Sequence, residues 1–145
     1  RTLGLGDYFS IVRPTWKTHQ PRQIFEVDYE GIHLEMFRTK HVPDSAPGWE
    51  ASFISYGLFI DNRVFVSVDT RFDVELINLY ADKSEVMFHD VQFFPEGVHA
   101  SLSDLRRLLP EIKSKMFLMH YSDDWAKQDI SDFGGWAVAG MRYCF

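Results

Sequence analysis

The sequence predicts an α/β protein. Three observations carry that reading: short apolar runs rich in β-branched and aromatic residues, stretches of leucine and isoleucine at helical spacing between them, and turn residues at the junctions. With 145 residues the chain has the length of one ordinary domain, and 46% hydrophobic and 16% aromatic residues supply a substantial core. Neither internal repeats nor blocks of like charge divide it.

From Ile24 to Arg38 the pattern gives two strands around the turn-like Asp28, Tyr29, Glu30 and Gly31, with Ile32, Leu34 and Met36 alternating against His33 and Glu35. Ser52 to Ile60 and Val64 to Val68 form a hairpin about Asp61-Asn62. Val74 to Ala81 is a short helix carrying Leu76, Ile77 and Tyr80. Glu85 to Phe88 is a strand ending at His89 and Asp90. A helix follows from Ser101, an N-cap candidate with Ser103, and Leu102, Leu105, Leu108 and Leu109 share its spacing until Pro110 kinks or divides it. Met116 to Met119 is another strand, ending at His120, and Trp136 to Phe145 is a last strand or hairpin edge.

Composition narrows the function classes. A formal net charge of -6 disfavours broad, sequence-independent nucleic-acid binding, which needs a positive surface. One cysteine, Cys144, excludes an intrachain disulfide framework or a cysteine-built metal site, so a reducing, cytoplasmic setting is expected. No apolar segment approaches the roughly 20 residues that span a bilayer, and no membrane partner is expected. The opening RTLGLGDYF reads as the interior of a longer polypeptide.

Three strands end in residues that bind metals or move protons: Asp69 after Val64–Val68, His89-Asp90, and His120. In layered α/β proteins ligand sites gather beyond the carboxyl ends of strands. His41, in TKHVPD, follows another strand-like segment. Imidazoles from separate loops with a carboxylate suit borderline divalent ions such as zinc, with manganese or iron tolerated. On the residues alone the alternatives stay open: each histidine also reads as a hydrogen-bonded structural residue, and Asp69 as a cap for the Val74 helix or a partner of Arg71.

In order, TKHVPD, VFVSVDTRFD, FHDVQFF with GVHAS, and FLMHYSDDW resemble the second half of the metallo-β-lactamase superfamily fold, closest to the ribonuclease Z and related phosphodiesterase branches. The resemblance covers about His41 to Trp125. It implies the C-terminal half of a four-layer αββα sandwich, with residues 1–145 as that half. It further implies two divalent metal ions, zinc by preference, with His41, Asp69 and His120 as ligands and Asp69 bridging. His99 would serve as proton donor or transition-state stabiliser, with Asp90 orienting it, while His89 fits a loop-fixing part better than direct catalysis. The activity implied is hydrolysis of a phosphodiester or related ester by metal-bound hydroxide. The alternative is a catalytically inactive binding or interaction protein of the same fold.

Departures from that pattern are specific. Val68 stands where the family usually has glycine before the bridging aspartate, and Asp90 replaces a glutamate. The His-x-His-x-Asp-His loop is absent, since no two histidines are separated by a single residue. Neither metal then reaches four ligands from this chain. The resemblance therefore implies a missing N-terminal half, carried before Arg1 or on another chain, with a homo-oligomer also open and a small-molecule or phosphodiester substrate. Of the remaining residues, Trp136 is expected in the core, Trp49 is left open, Asp123-Asp124 form a solvated or capping loop, and Arg71 faces either an anion or the carboxylates of Asp73 or Glu75.

Overall fold

The computed structural model describes residues 9–145, so RTLGLGDYF lies outside the described residues except for Phe9. Among them the chain forms one eight-stranded mixed sheet whose strands lie side by side in chain order. The strands are β1 (Thr15–Thr18), β2 (Ile24–Tyr29), β3 (Ile32–Arg38), β4 (Tyr56–Ile60), β5 (Val64–Val66), β6 (Val86–Asp90), β7 (Met116–Met119) and β8 (Gly135–Trp136). Pairing is antiparallel from β1 to β5 and parallel from β5 to β8. Three short helices intervene: α1 (Val74–Ala81), α2 (Leu102–Leu105) and α3 (Pro110–Lys113). The class is mixed α/β, as expected. The described residues supply one sheet with helices packed on one face, two layers, and the expectation that they are the C-terminal half of a four-layer αββα sandwich goes beyond what they show.

Local chemistry explains the elements. The β2–β3 hairpin turns at Glu30 and Gly31, both with positive φ, and Tyr29 pairs with Ile32. Gly57 in β4 is there for space: a Cβ would lie 2.3 Å from the Phe37 ring and 2.8 Å from the Ser67 carbonyl oxygen. The second hairpin turns on Asp61 and Asn62, at φ 50° and 56°, and the Asp61 carboxylate accepts the backbone N–H of His33 at 2.8 Å. Asp73 caps α1 by accepting from Leu76 N at 3.1 Å, which removes Asp69 from that part. Ser101 caps α2, accepting from Asp104 N at 3.1 Å, and Pro110 begins α3, dividing the expected helix in two.

The core lies on one face of the sheet. Phe37, Phe59, Phe65, Met87 and Leu118 are fully buried against Leu76, Ile77 and Tyr80 of α1 and Leu102 and Leu105 of α2. Across the other face Phe25, Met36, Leu58, Val66, Phe88 and Phe117 stand in register, half-buried. Tyr143 and Phe145 pack edge-on over Phe88. Two sequence expectations shift here: β8 is only Gly135–Trp136 and residues 137–145 form no strand, while β1 gave no sequence signal. The chain contains no helix long and apolar enough to cross a membrane among the described residues.

Candidate functional site

The carboxyl ends of β5, β6 and β7 converge. β5 stops at Val66 because Val68 turns to φ 53°, and that turn directs Asp69 away from the strand path. The Asp69 carbonyl oxygen is then held by the Thr39 hydroxyl at 2.9 Å and the Ser55 hydroxyl at 3.3 Å. His120 follows β7 with φ 56°. Left-handed backbone at non-glycine residues costs about 1–2 kcal/mol each and clusters where the surrounding fold over-determines a functional geometry.

Asp69 sits at the centre. Its Oδ1 lies 2.9 Å from His120 Nδ1 and its Oδ2 lies 3.9 Å from His41 Nε2. The pairing with Arg71 left open by the sequence does not form: Arg71 donates instead to the carbonyls of Asp44 and Ala46, bracing the loop after His41. Asp73, the other expected partner of Arg71, pairs with buried Arg22 at 2.9 Å.

His99 is fixed from behind. Its Nδ1 lies 2.8 Å from Asp90 Oδ2, and the same oxygen accepts the backbone N–H of Thr70 at 3.0 Å. Asp90 is fully buried. Burial would push its carboxyl upward, but the adjacent His89 ring and the N–H groups of His99 and Thr70 outweigh this and hold it below the ordinary carboxylate value. The hydrogen bond to Asp90 in turn raises His99 above the usual histidine value, against partial burial. His41 is oriented in the same manner, with Nδ1 donating to the Val98 carbonyl at 2.9 Å and Nε2 left toward Asp69. The rings of His41 and His99 are 5.1 Å apart, those of His99 and His120 4.7 Å.

All five predicted site residues therefore meet in space. The tightest grouping differs from the predicted ligand set: Asp69, Asp90, His99 and His120 each offer one donor atom, all within 4.8 Å of one another, with His41 beside them. Two carboxylates and two imidazoles make a hard-to-borderline donor set suited to zinc or manganese. The buried Asp90 Oδ1 makes no hydrogen bond, which fits a site that takes a positive partner. Sequence reading missed the support behind these groups: Thr70, Thr39 and Ser55 bond through short polar side chains or backbone that carry no motif. Beside the cluster an open cleft of about 460 Å³ is lined by Arg71, Phe72, Gly97, His99, Ser101 and Asp104.

Fold and site thus define a mixed α/β protein with a histidine–carboxylate cluster at the ends of parallel strands. The family whose model matches residues 1–139 is described as Anti-Pycsar protein Apyc1, and the chain belongs to that family. A relative from Bacillus phage BSP38, "Anti-Pycsar protein Apyc1", is 38% identical over 128 residues, covering 84% of this chain and 45% of the relative. Proteins of the same name from Paenibacillus harenae and Bacillus phage 010DV004 are 37% and 36% identical, covering 66% and 83% of this chain and 37% and 44% of their own lengths. The chain spans under half the length of these relatives.

These matches correct the reading drawn from the motif series. The family shown is Apyc1 in place of the metallo-β-lactamase superfamily, and the dinuclear hydrolase, its phosphodiester substrate and the inactive protein of that fold fall with it. The expected complementing half on another chain falls as well, because each matched relative is a single chain of which this chain spans under half. The physical reason is plain. Strand-end histidines and aspartates specify a place where a cation can be held, and such a place belongs to no one family or reaction.

Proposed function

We propose that this chain acts against Pycsar, as the printed names say of its relatives, and that the Asp69–Asp90–His99–His120 cluster with His41 is its working site, holding divalent metal. The observation that carries the site is the convergence of four donor atoms within 4.8 Å from three different strand ends and a loop. The tight set serves one ion. Asp69, with one oxygen toward His120 and the other toward His41, is placed to serve a second, and zinc is the preferred ion for this donor set. A bound cation would supply a concentrated positive charge for an anionic or oxygen-bearing ligand in the adjoining cleft. With Cys144 as its one, unpaired cysteine, the chain suits the cytoplasm.

Metal analysis and co-expression with Pycsar test the two parts together. The wild-type chain is expected to retain zinc after dialysis and to lower the Pycsar response. Asp69→Asn, which removes the charge at the centre, is expected to weaken zinc binding by more than about tenfold and to lose the effect on Pycsar. Undiminished action of Asp69→Asn against Pycsar would sink the site assignment, and a wild-type chain with no such action would sink the functional one.

A further inference from the structure

His89 is a fully buried imidazole that the cluster itself does not use. It lies in β6 with its ring stacked on Phe65, centroids 6.3 Å apart and planes inclined by 25°. Nδ1 is 2.8 Å from the backbone carbonyl oxygen of Asp90 and 3.3 Å from Asp90 Oδ1. A carbonyl only accepts, so Nδ1 carries the proton. Nε2 is then a bare lone pair, and it has no partner.

That arrangement is costly. An unsatisfied buried acceptor costs about 1–3 kcal/mol, whereas a phenyl ring of similar shape would stack on Phe65 without it. What the imidazole offers in return is one N–H at the point where β6 ends and Asp90 must present Oδ2 to Thr70 N and His99 Nδ1. The exchange is local and directional. We infer that His89 is a positioning residue: its Nδ1–H holds the Asp90 main-chain carbonyl at the end of β6, and through that backbone it sets the direction in which the carboxylate meets His99 in the cluster.

The consequence for metal affinity rests on the reading of the cluster as a metal site, but the consequence for His99 does not. Two variants separate shape from donor. His89→Phe keeps the ring and removes the N–H, while His89→Asn keeps an N–H donor close to the Nδ1 position and removes the ring. Ring N–H signals of the metal-free chain and zinc affinity against a competing chelator are the readouts. His89→Phe is expected to lose the protected His99 Nδ1–H signal and to weaken zinc binding about 10- to 100-fold, with His89→Asn recovering the signal and most of the affinity. The inference is overturned if His89→Phe keeps both, or if His89→Asn loses both at wild-type melting temperature. Should His89→Phe not fold, His89→Leu, which also lacks a donor, is read in the same way. If the wild-type chain binds no zinc, the metal reading fails alone, and the His99 signal still decides the part played by His89.

Discussion

The two halves of the sheet solve different problems. In the antiparallel half, β1 to β5, neighbouring strands are linked by turns or one loop, and the turn residues set the register: Glu30-Gly31 between β2 and β3, Asp61-Asn62 between β4 and β5, the strand that both halves share. In the parallel half, the strands β5 to β7 are three to five residues long and end at a residue of the cluster or within three residues of one. The antiparallel half holds its loops with charge, since Arg38 Nη2 alone donates to the carbonyls of Trp49, Ser52 and Phe53. The parallel half spends its polar groups on the site. One part is a scaffold closed by local turns, and the other is a platform whose strand ends carry the histidine–carboxylate cluster.

A substitution where the halves meet should break both. Phe65 in β5 is fully buried and stacks on Phe37 of β3 at 5.2 Å while also lying beneath His89. Phe65→Ala is expected to cost about 3–5 kcal/mol, read as the shift of the urea midpoint. Arg38→Met should divide the halves instead. It strips donors from buried carbonyls of the loop after β3, for an expected loss of about 2–4 kcal/mol. Zinc affinity should fall by less than stability, since of the site only His41 lies in that loop and the tight set of Asp69, Asp90, His99 and His120 lies outside it. Equal losses of stability and zinc binding in Arg38→Met would show that the halves are not separable.

Legibility follows the same division. α1 is legible to the residue at Val74–Ala81, and so are both hairpin turns, because turn chemistry and apolar spacing are local signals. β1 was missed. Thr15–Thr18 is an edge strand with exposed side chains, so it has no buried face to leave a pattern. The five site residues were legible as strand-end histidines and aspartates. Their grouping was not: Asp90 and His99 join the tight set because the chain from Val91 to Ala100 returns, with Gln92 N donating to the Ala100 carbonyl at 2.8 Å. The Gln92 side chain closes the same loop, its amide donating to the Phe94 and Glu96 carbonyls and accepting the His99 N–H, and a single glutamine carries no motif. The family is not legible either: strand-end motifs in an order that resembles one superfamily stand in a chain that belongs to another family.

The Asp90–His99 pair gives the parallel half its own pH signature. His99 is raised in the folded state, so its contribution is fully present below the unfolded histidine value, near 6.5, and is lost as pH rises through the folded value. Asp90 is lowered, so its contribution is present above the unfolded value of 3.8 and lost as pH falls through the folded one. Chelator-treated protein should therefore be most stable in mild acid, between those ranges. His99→Gln should flatten the decline above neutrality, and unfolding midpoints across pH 5 to 9 measure it. A decline of wild-type slope in His99→Gln would place its origin elsewhere.

The smallest effect tests the junction itself. Val68 ends β5 at φ 53°, a conformation that a β-branched residue adopts at a cost of about 1–2 kcal/mol, and its side chain is more than one-third exposed, so little burial is lost with it. Val68→Gly removes the strain but adds about 0.5–1 kcal/mol of unfolded-state freedom. The net expectation is a gain of about 0.5–1 kcal/mol for glycine, with Val68→Ala falling between the two because a Cβ remains. Melting curves at one protein concentration resolve that order. A loss of stability in Val68→Gly would mean that the left-handed turn is held without strain, and the cost of aiming Asp69 would then lie with the Thr39 and Ser55 hydrogen bonds that grip its carbonyl.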